Sequence, residues 1–133
     1  ANVNAVGSGR PGSTTGLEAQ PLWWGDEEAH RHLLAEGHFD VILCCEVVYQ
    51  QPKAVLDALR RTLRALLARP GGVVIFAYQQ RDGSEVTDHD FFGSLPHDGL
   101  RLTAEVPLSE WDDCWDDTVC RWVRTYAPGG EAE

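Results

Sequence analysis

Three short stretches of the sequence carry residue types that could bind and orient a small polar group. Glu46-Val47-Val48-Tyr49 follows directly on the apolar run at residues 39–45. If that run is a strand, Glu46 stands at its carboxyl end, where ligands bind in open α/β sheets. A carboxylate there can orient a substrate amine through charge-assisted hydrogen bonds, and Tyr49 can line the same pocket. The stretch equally suits a loop carboxylate that caps a helix beginning near Pro52. Leu22-Trp23-Trp24-Gly25 closes a weak strand candidate at residues 17–22. A Trp at such an end can stack on a flat heterocycle, and a Gly lets a backbone approach closely; a core aromatic followed by a turn glycine reads the same way. Tyr78-Gln79-Gln80-Arg81 ends a further strand candidate, on the same rim as Trp24 and Glu46.

Other candidate motifs are weaker. Gly7-Ser8-Gly9-Arg10-Pro11-Gly12 matches GxGxxG literally. A dinucleotide fingerprint must follow a strand and open a helix, and Pro11 with Ser13-Thr14-Thr15-Gly16 does neither, so a loop is expected. His30, His32, His38, His89 and His97 show no ligand spacing beside Cys or carboxylates, and no metal site is expected. Cys44 and Cys45 are adjacent, which is not the CxxC spacing of a zinc or redox motif; in a strand they point to opposite faces. The acidic run at residues 110–117, with Trp111 and Trp115, reads as a solvated loop that could receive a basic segment.

The elements that must position these residues follow from hydrophobic period. Residues 26–36 suit a helix with Asp26, Glu27 and Glu28 in its first turn. Residues 39–45 and 73–78 are short, continuous apolar runs, the pattern of strands buried on both faces of a parallel sheet. Between them Val55, Leu59, Leu63 and Leu67, flanked by Leu56 and Leu66, stripe one face of a helix over residues 52–69, ended by Pro70-Gly71-Gly72. Strand, helix and strand make a βαβ unit. A short helix over residues 88–95 holds Phe91 and Phe92. Residues 100–106 and 118–126 alternate apolar and polar, as antiparallel edge strands do. Residues 1–16 read as a flexible lead-in, 17–127 as one domain and 128–133 as a frayed tail.

Composition sets outer bounds. The 133 residues hold at most one small domain, 43% hydrophobic and 24% charged, which is ordinary globular chemistry. A net charge of −10 argues against a nucleic-acid surface and suits a Lys- or Arg-rich protein partner. No apolar run approaches the roughly 20 residues of a membrane span. Four Cys in no framework spacing, with no signal peptide at Ala1-Asn2-Val3-Asn4, lead us to expect reduced thiols in a cytoplasmic protein, with the nucleus as a second location. The absence of Met points to a piece of a longer chain.

Taken in order, Asn2-Val3, Leu22-x-Trp24-Gly25, Phe39-Asp40-x-Ile42-Leu43, Glu46-x-x-Tyr49, the leucine-striped helix, Ala77-Tyr78-x-x-Arg81 and Phe91-Phe92 resemble the family 16 methyltransferases. The likeness extends to the branch that includes the valosin-containing-protein lysine methyltransferase. It covers nearly the whole chain. These are seven-strand enzymes that use S-adenosylmethionine, mostly to modify lysines of proteins. The resemblance implies an α/β fold: the C-terminal part of a Rossmann-like seven-strand methyltransferase sheet, parallel with an antiparallel terminal strand, with strands three to seven kept and the N-terminal strands missing. It implies S-adenosylmethionine as cofactor, with Trp24 beside the adenine and Cys45 bordering the same pocket. Glu46 and Tyr49 match the signature element at the methyl-transfer site, where many members have Asp in place of Glu46, and Tyr78 and Arg81 fall on the substrate side. The family's Gly-rich turn and ribose-holding acid have no counterpart here, so the chain alone is expected to fold poorly or bind cofactor weakly. A basic protein would be the partner. Two other readings stay open: a non-catalytic methyltransferase-like binding module, and an unrelated α/β fragment.

Overall fold

A computed structural model of the protein describes residues 16–81, 83–107 and 120–129. Helix α1 (Glu27–Leu33) begins where the Asp26 carboxylate accepts hydrogen bonds from the Glu28 and Ala29 amides, 3.1 and 3.2 Å away. Strand β1 (Val41–Cys45), helix α2 (Lys53–Leu66) and strand β2 (Val73–Gln80) follow, then helix α3 (Glu85–Ser94), strand β3 (Leu100–Pro107) and strand β4 (Cys120–Pro128). The expected βαβ unit is present, with β1 and β2 in parallel register from Val41↔Val73 to Cys45↔Ala77.

The sheet order is β1-β2-β4-β3. β4 runs antiparallel to both of its neighbours, so β1, β2 and β3 point one way and the last strand the other. This is the parallel sheet with an antiparallel terminal strand that the resemblance implies. Alternation places β3 and β4 at edges; β3 is an edge, but β4 lies inside, between β2 and β3. Four strands, not five, are present among the described residues. Residues 17–22 form no strand, in keeping with Pro21, which lacks the N–H that a ladder needs.

One cluster forms the core. Leu56, Leu59 and Leu63 of α2 and Phe91 and Phe92 of α3 pack with Cys44, Val74, Phe76, Tyr78, Trp122 and Tyr126. Cys44 pairs with Phe76, Val74 with Tyr126 and Tyr78 with Trp122, so these strand residues share one face, and both helices cover it. Phe76 is its centre, edge-on to Phe91, Phe92 and Tyr126 at centroid distances of 5.8, 5.3 and 5.7 Å. Continuous apolar runs predict burial on both faces, and here the structure corrects the sequence. On the opposite face Val41 is 52% and Leu43 74% exposed. The run is apolar on both faces, but α2 and α3 serve only one.

α2 ends at Leu66, three residues before the expected end. The Phe39 amide donates to the Leu66 carbonyl and the Ala68 amide to the Phe39 carbonyl, both at 2.8 Å, which draws Leu67 into extended backbone. From the middle of α2, Arg60 bonds the Asp98 carboxylate at 2.7 Å, fixing the turn after α3.

The exposure pattern predicts an asymmetry in denaturant unfolding. Phe76→Ala should cost about 3–5 kcal/mol through lost burial and a residual cavity. Leu43→Ser should stay within about 0.5 kcal/mol, as for an exposed site. A Leu43→Ser cost above about 2 kcal/mol would show that this face is covered in the protein as it exists.

Candidate functional site

The parallel ladder extends one residue beyond β1, because the Glu46 amide donates to the Ala77 carbonyl at 3.0 Å. The backbone then turns through a left-handed conformation at Glu46 and again at Gln50, both at φ +54. Neither is Gly, so each costs roughly 1–2 kcal/mol. Val48, between them and 1% exposed, is plugged into the core. Burying a Val contributes about 1.5–3 kcal/mol, enough to hold much of this strained turn. Strained non-Gly backbone of this kind concentrates at functional sites.

Arg81 reaches this turn from the end of β2. Its Nη1 donates to Glu46 Oε2 at 2.9 Å and to the Gln79 carbonyl at 3.0 Å. Its Cζ lies 4.1 Å from the centroid of the Tyr49 ring. The hydrogen bond that Arg81 donates to Glu46, and that carboxylate's charge, raise the Arg81 pKa above the ordinary guanidinium range. The side chains of Glu46 and Arg81 are 37% and 30% exposed. An ion pair this wet contributes only about 0.2–1 kcal/mol, so another cation could displace it. Glu46, Tyr49 and Arg81, three of the residues expected to form a site, are thus brought together.

Ser84 secures Arg81 from behind. The Arg81 amide donates to Ser84 Oγ at 3.2 Å, and that hydroxyl lies 2.7 Å from both the Arg81 carbonyl and Asp88 Oδ2. It has one proton for two acceptors. Ser84 and Asp88, buried at the first turn of α3, do not emerge from sequence reasoning, because a Ser and an Asp four apart at a helix start look like ordinary capping.

The remaining expected residues sit elsewhere. Tyr78 is 3% exposed and turned toward the helices, 5.2 Å from Trp122 and 5.7 Å from Phe92 between ring centroids. Burial first, then the neighbouring Asp88, push its phenol up. Trp24 is half-buried against the core, and its position is fixed by the next residue. Gly25 has φ +81, and a Cβ there would meet Ala58 Cβ at 3.1 Å, so only Gly fits this contact with α2. Its amide donates to Thr62 Oγ1 at 2.8 Å, and the same hydroxyl bonds His30 Nε2 at 2.9 Å. His30 is therefore a buried structural residue. No group of three metal-ligating side chains forms among the described residues. The GxGxxG stretch and the acidic 110–117 run lie outside the described residues.

Cys44 and Cys45 point to opposite faces, as strand geometry requires, the first buried and the second exposed. Burial pushes the Cys44 thiol up to about 12. Iodoacetamide at pH 8 should therefore leave Cys44 unmodified in a Cys45→Ser variant, and should modify Cys45 in a Cys44→Ser variant. Peptide mass mapping reads both, and labelling of Cys44 in the folded protein would contradict the packing.

The fold has known counterparts. The N-methyltransferase NodS from Bradyrhizobium japonicum WM9 is 17% identical, with 70% of this chain and 52% of that one covered at a TM-score of 0.51. A S-adenosylmethionine-dependent methyltransferase from Clostridium acetobutylicum ATCC 824 is 16% identical, with 70% and 59% covered at a TM-score of 0.42. M1.HpyAVI is 12% identical, with 77% and 50% covered at a TM-score of 0.44. The chain thus spans between about half and three fifths of the length of these solved structures. A search of curated proteins finds none that matches. The lysine methyltransferase family matches residues 2–98, which hold Trp24, the Glu46–Tyr49 turn and Arg81, and end just before β3. With a match over well more than half of its length, on a fold similar to that of NodS, this chain belongs to the lysine methyltransferase family.

Proposed function

We propose that the protein carrying this chain transfers a methyl group from S-adenosylmethionine to the side-chain amine of a lysine in a basic protein, and that Glu46 and Tyr49 receive that amine. The observation that carries this reading is the guanidinium of Arg81 held between the Glu46 carboxylate, at 2.9 Å, and the Tyr49 ring, at 4.1 Å. A carboxylate and an aromatic face that together hold one cation form a site chemically suited to another. Arg81 marks the place of the amine and yields it when substrate arrives.

When bound, S-adenosylmethionine would supply a methyl group on a positively charged sulfur; the lysine enters as the ammonium this site suits and gives one proton to Glu46 or to water before its lone pair can attack. Of the described residues, Trp24 and Cys45 would border it: the first is a half-buried aromatic side chain, the second an exposed thiol at the carboxyl end of β1. They offer one wall. Asp26, the carboxylate nearest Trp24 in the chain, is occupied in capping α1. Glu46 accepts hydrogen bonds from the amine and aims it, and the Tyr49 ring shields it from water, so that much of the rate comes from orientation. The net charge of −10 favours encounter with a basic segment and disfavours nucleic acid. Among the described residues no helix is long and apolar enough to cross a membrane.

Methylation assays with tritiated S-adenosylmethionine and lysine-containing proteins test this. Glu46→Gln keeps the backbone and removes the charge; it should lower kcat by about 10²-fold or more while cofactor affinity changes less than about twofold. Undiminished turnover in Glu46→Gln would remove Glu46 from the site. Arg81→Gln, which frees the amine's place, should lower KM for the protein substrate by up to about fivefold, the equivalent of a surface ion pair. A tenfold rise in KM would instead make Arg81 a substrate ligand. Tritium incorporated into arginine or histidine would overturn lysine as the target.

A further inference from the structure

The side chain that occupies the amine site is held from α3. Three contacts order the Arg81 side chain: Glu46, the Gln79 carbonyl and the Tyr49 ring. An exposed ion pair and one ring contact gain little more than the entropy lost in ordering a long Arg side chain. Whether Arg81 occupies the site therefore depends on how firmly its backbone is placed.

Ser84 clamps that backbone. The Ser84 amide donates to the Arg81 carbonyl at 3.1 Å, and the Arg81 amide donates to Ser84 Oγ at 3.2 Å. Ser84 is the N-cap residue of α3, yet its hydroxyl bonds no amide of that helix. An N-cap serine ordinarily accepts from the second or third helical amide, which stabilises the helix. Here that contact is forgone and the hydroxyl serves Arg81 instead. Asp88, one turn on, fixes the hydroxyl's direction. The Arg81 carbonyl already has a donor in the Ser84 amide, while the Asp88 carboxylate, only 6% exposed, lies 2.7 Å from the hydroxyl. The hydroxyl proton therefore goes to the carboxylate, the stronger acceptor, and leaves the oxygen's lone pairs to the Arg81 amide. A hydrogen-bond chain runs from the Arg81 N–H through the Ser84 O–H to Asp88, and each link polarises the next. Asp88 in turn neighbours Tyr78 of the aromatic core, so the chain ends on a fixed point. A solvated aspartate would serve the start of α3 without the cost of burial; this chain accounts for the buried one.

We infer that Ser84 and Asp88 are positioning residues for the amine site: they keep Arg81 beside Glu46 and over Tyr49, so that the first turn of α3 sets how readily another cation displaces it. The inference rests on the methyl-transfer reading only for the identity of that cation, the substrate amine. Ser84 and Asp88 act on the site through Arg81 alone.

NMR of the protein carrying this chain, labelled at arginine with ¹³C and ¹⁵N, tests this without catalysis. The Tyr49 ring current displaces the Arg81 side-chain signals, and Tyr49→Leu identifies them by removing the displacement. Ser84→Ala should lower the ratio of stacked to released Arg81 by about fivefold, the worth of one net hydrogen bond, and Asp88→Asn by about twofold. Ser84→Thr, which keeps the hydroxyl, should restore the ratio. Ser94→Ala removes a comparable hydroxyl bond, to the Phe91 carbonyl at the other end of α3, and should leave Arg81 unmoved. An unshifted Trp122 indole signal in each variant shows an intact core. In methylation assays Ser84→Ala should lower KM toward the Arg81→Gln value, hold kcat within about twofold, and add nothing in an Arg81→Gln background. An Arg81 signal unmoved by Ser84→Ala, moved equally by Ser94→Ala, or not restored by Ser84→Thr would overturn the inference. So would a Ser84→Ala effect on KM that persists in the Arg81→Gln background. A protein that methylates nothing, yet loses the Arg81 displacement in Ser84→Ala, would sink the methyl-transfer reading and leave the clamp standing.

Discussion

The hydrogen bond from the Glu46 amide to the Ala77 carbonyl is where sheet and site become one structure. It carries the register of the β1–β2 ladder one residue past the strand, and so fixes the Glu46 backbone relative to β2. From that anchor the chain must leave the sheet at once. It does so through two left-handed non-Gly residues, with Val48 between them sunk into the core. The energies indicate which contact holds the turn. The exposed Glu46–Arg81 pair is worth at most about 1 kcal/mol, less than the strain it accompanies, while burial of Val48 contributes more. The core thus does the positioning, and the ion pair is left free to exchange.

The core can do this because the aromatic cluster is one-sided. Phe76 and its neighbours join α2, α3, β2 and β4 on a single face, so the carboxyl ends of β1 and β2 are held by packing beneath them. Thr62 performs a similar service for the Trp24-Gly25 turn, its hydroxyl tying Gly25 and His30 to α2. The opposite face, with Val41 and Leu43 exposed, carries apolar side chains that the described elements do not cover.

Much of this is legible in the sequence. Period gives the βαβ unit and the helix stripe because burial acts on residues three, four or two apart. The juxtaposition of Glu46, Tyr49 and Arg81 is readable as two motifs at strand ends, residues 46–49 and 78–81, since parallel strands place their ends on one rim. What escapes is set by longer-range facts. The interior place of β4 depends on the chain passing from β2 through α3 to the sheet edge before returning, and alternation alone does not report it. One-sided burial of Leu43 depends on which face α2 and α3 choose. Tyr78, adjacent in sequence to the site strand end, turns inward because strand side chains alternate, and there it meets Asp88, a residue whose type and spacing look like routine capping.

In the proposed reaction the carboxylate and ring now holding Arg81 are the place of the substrate amine. A structure of the protein bound to S-adenosylhomocysteine and a lysine peptide that it methylates tests this most directly. There the lysine Nζ is expected about 3 Å from a Glu46 carboxylate oxygen, with the Arg81 guanidinium withdrawn from the Tyr49 ring. A lysine bound elsewhere, with Arg81 still stacked on Tyr49 and paired to Glu46, would contradict it.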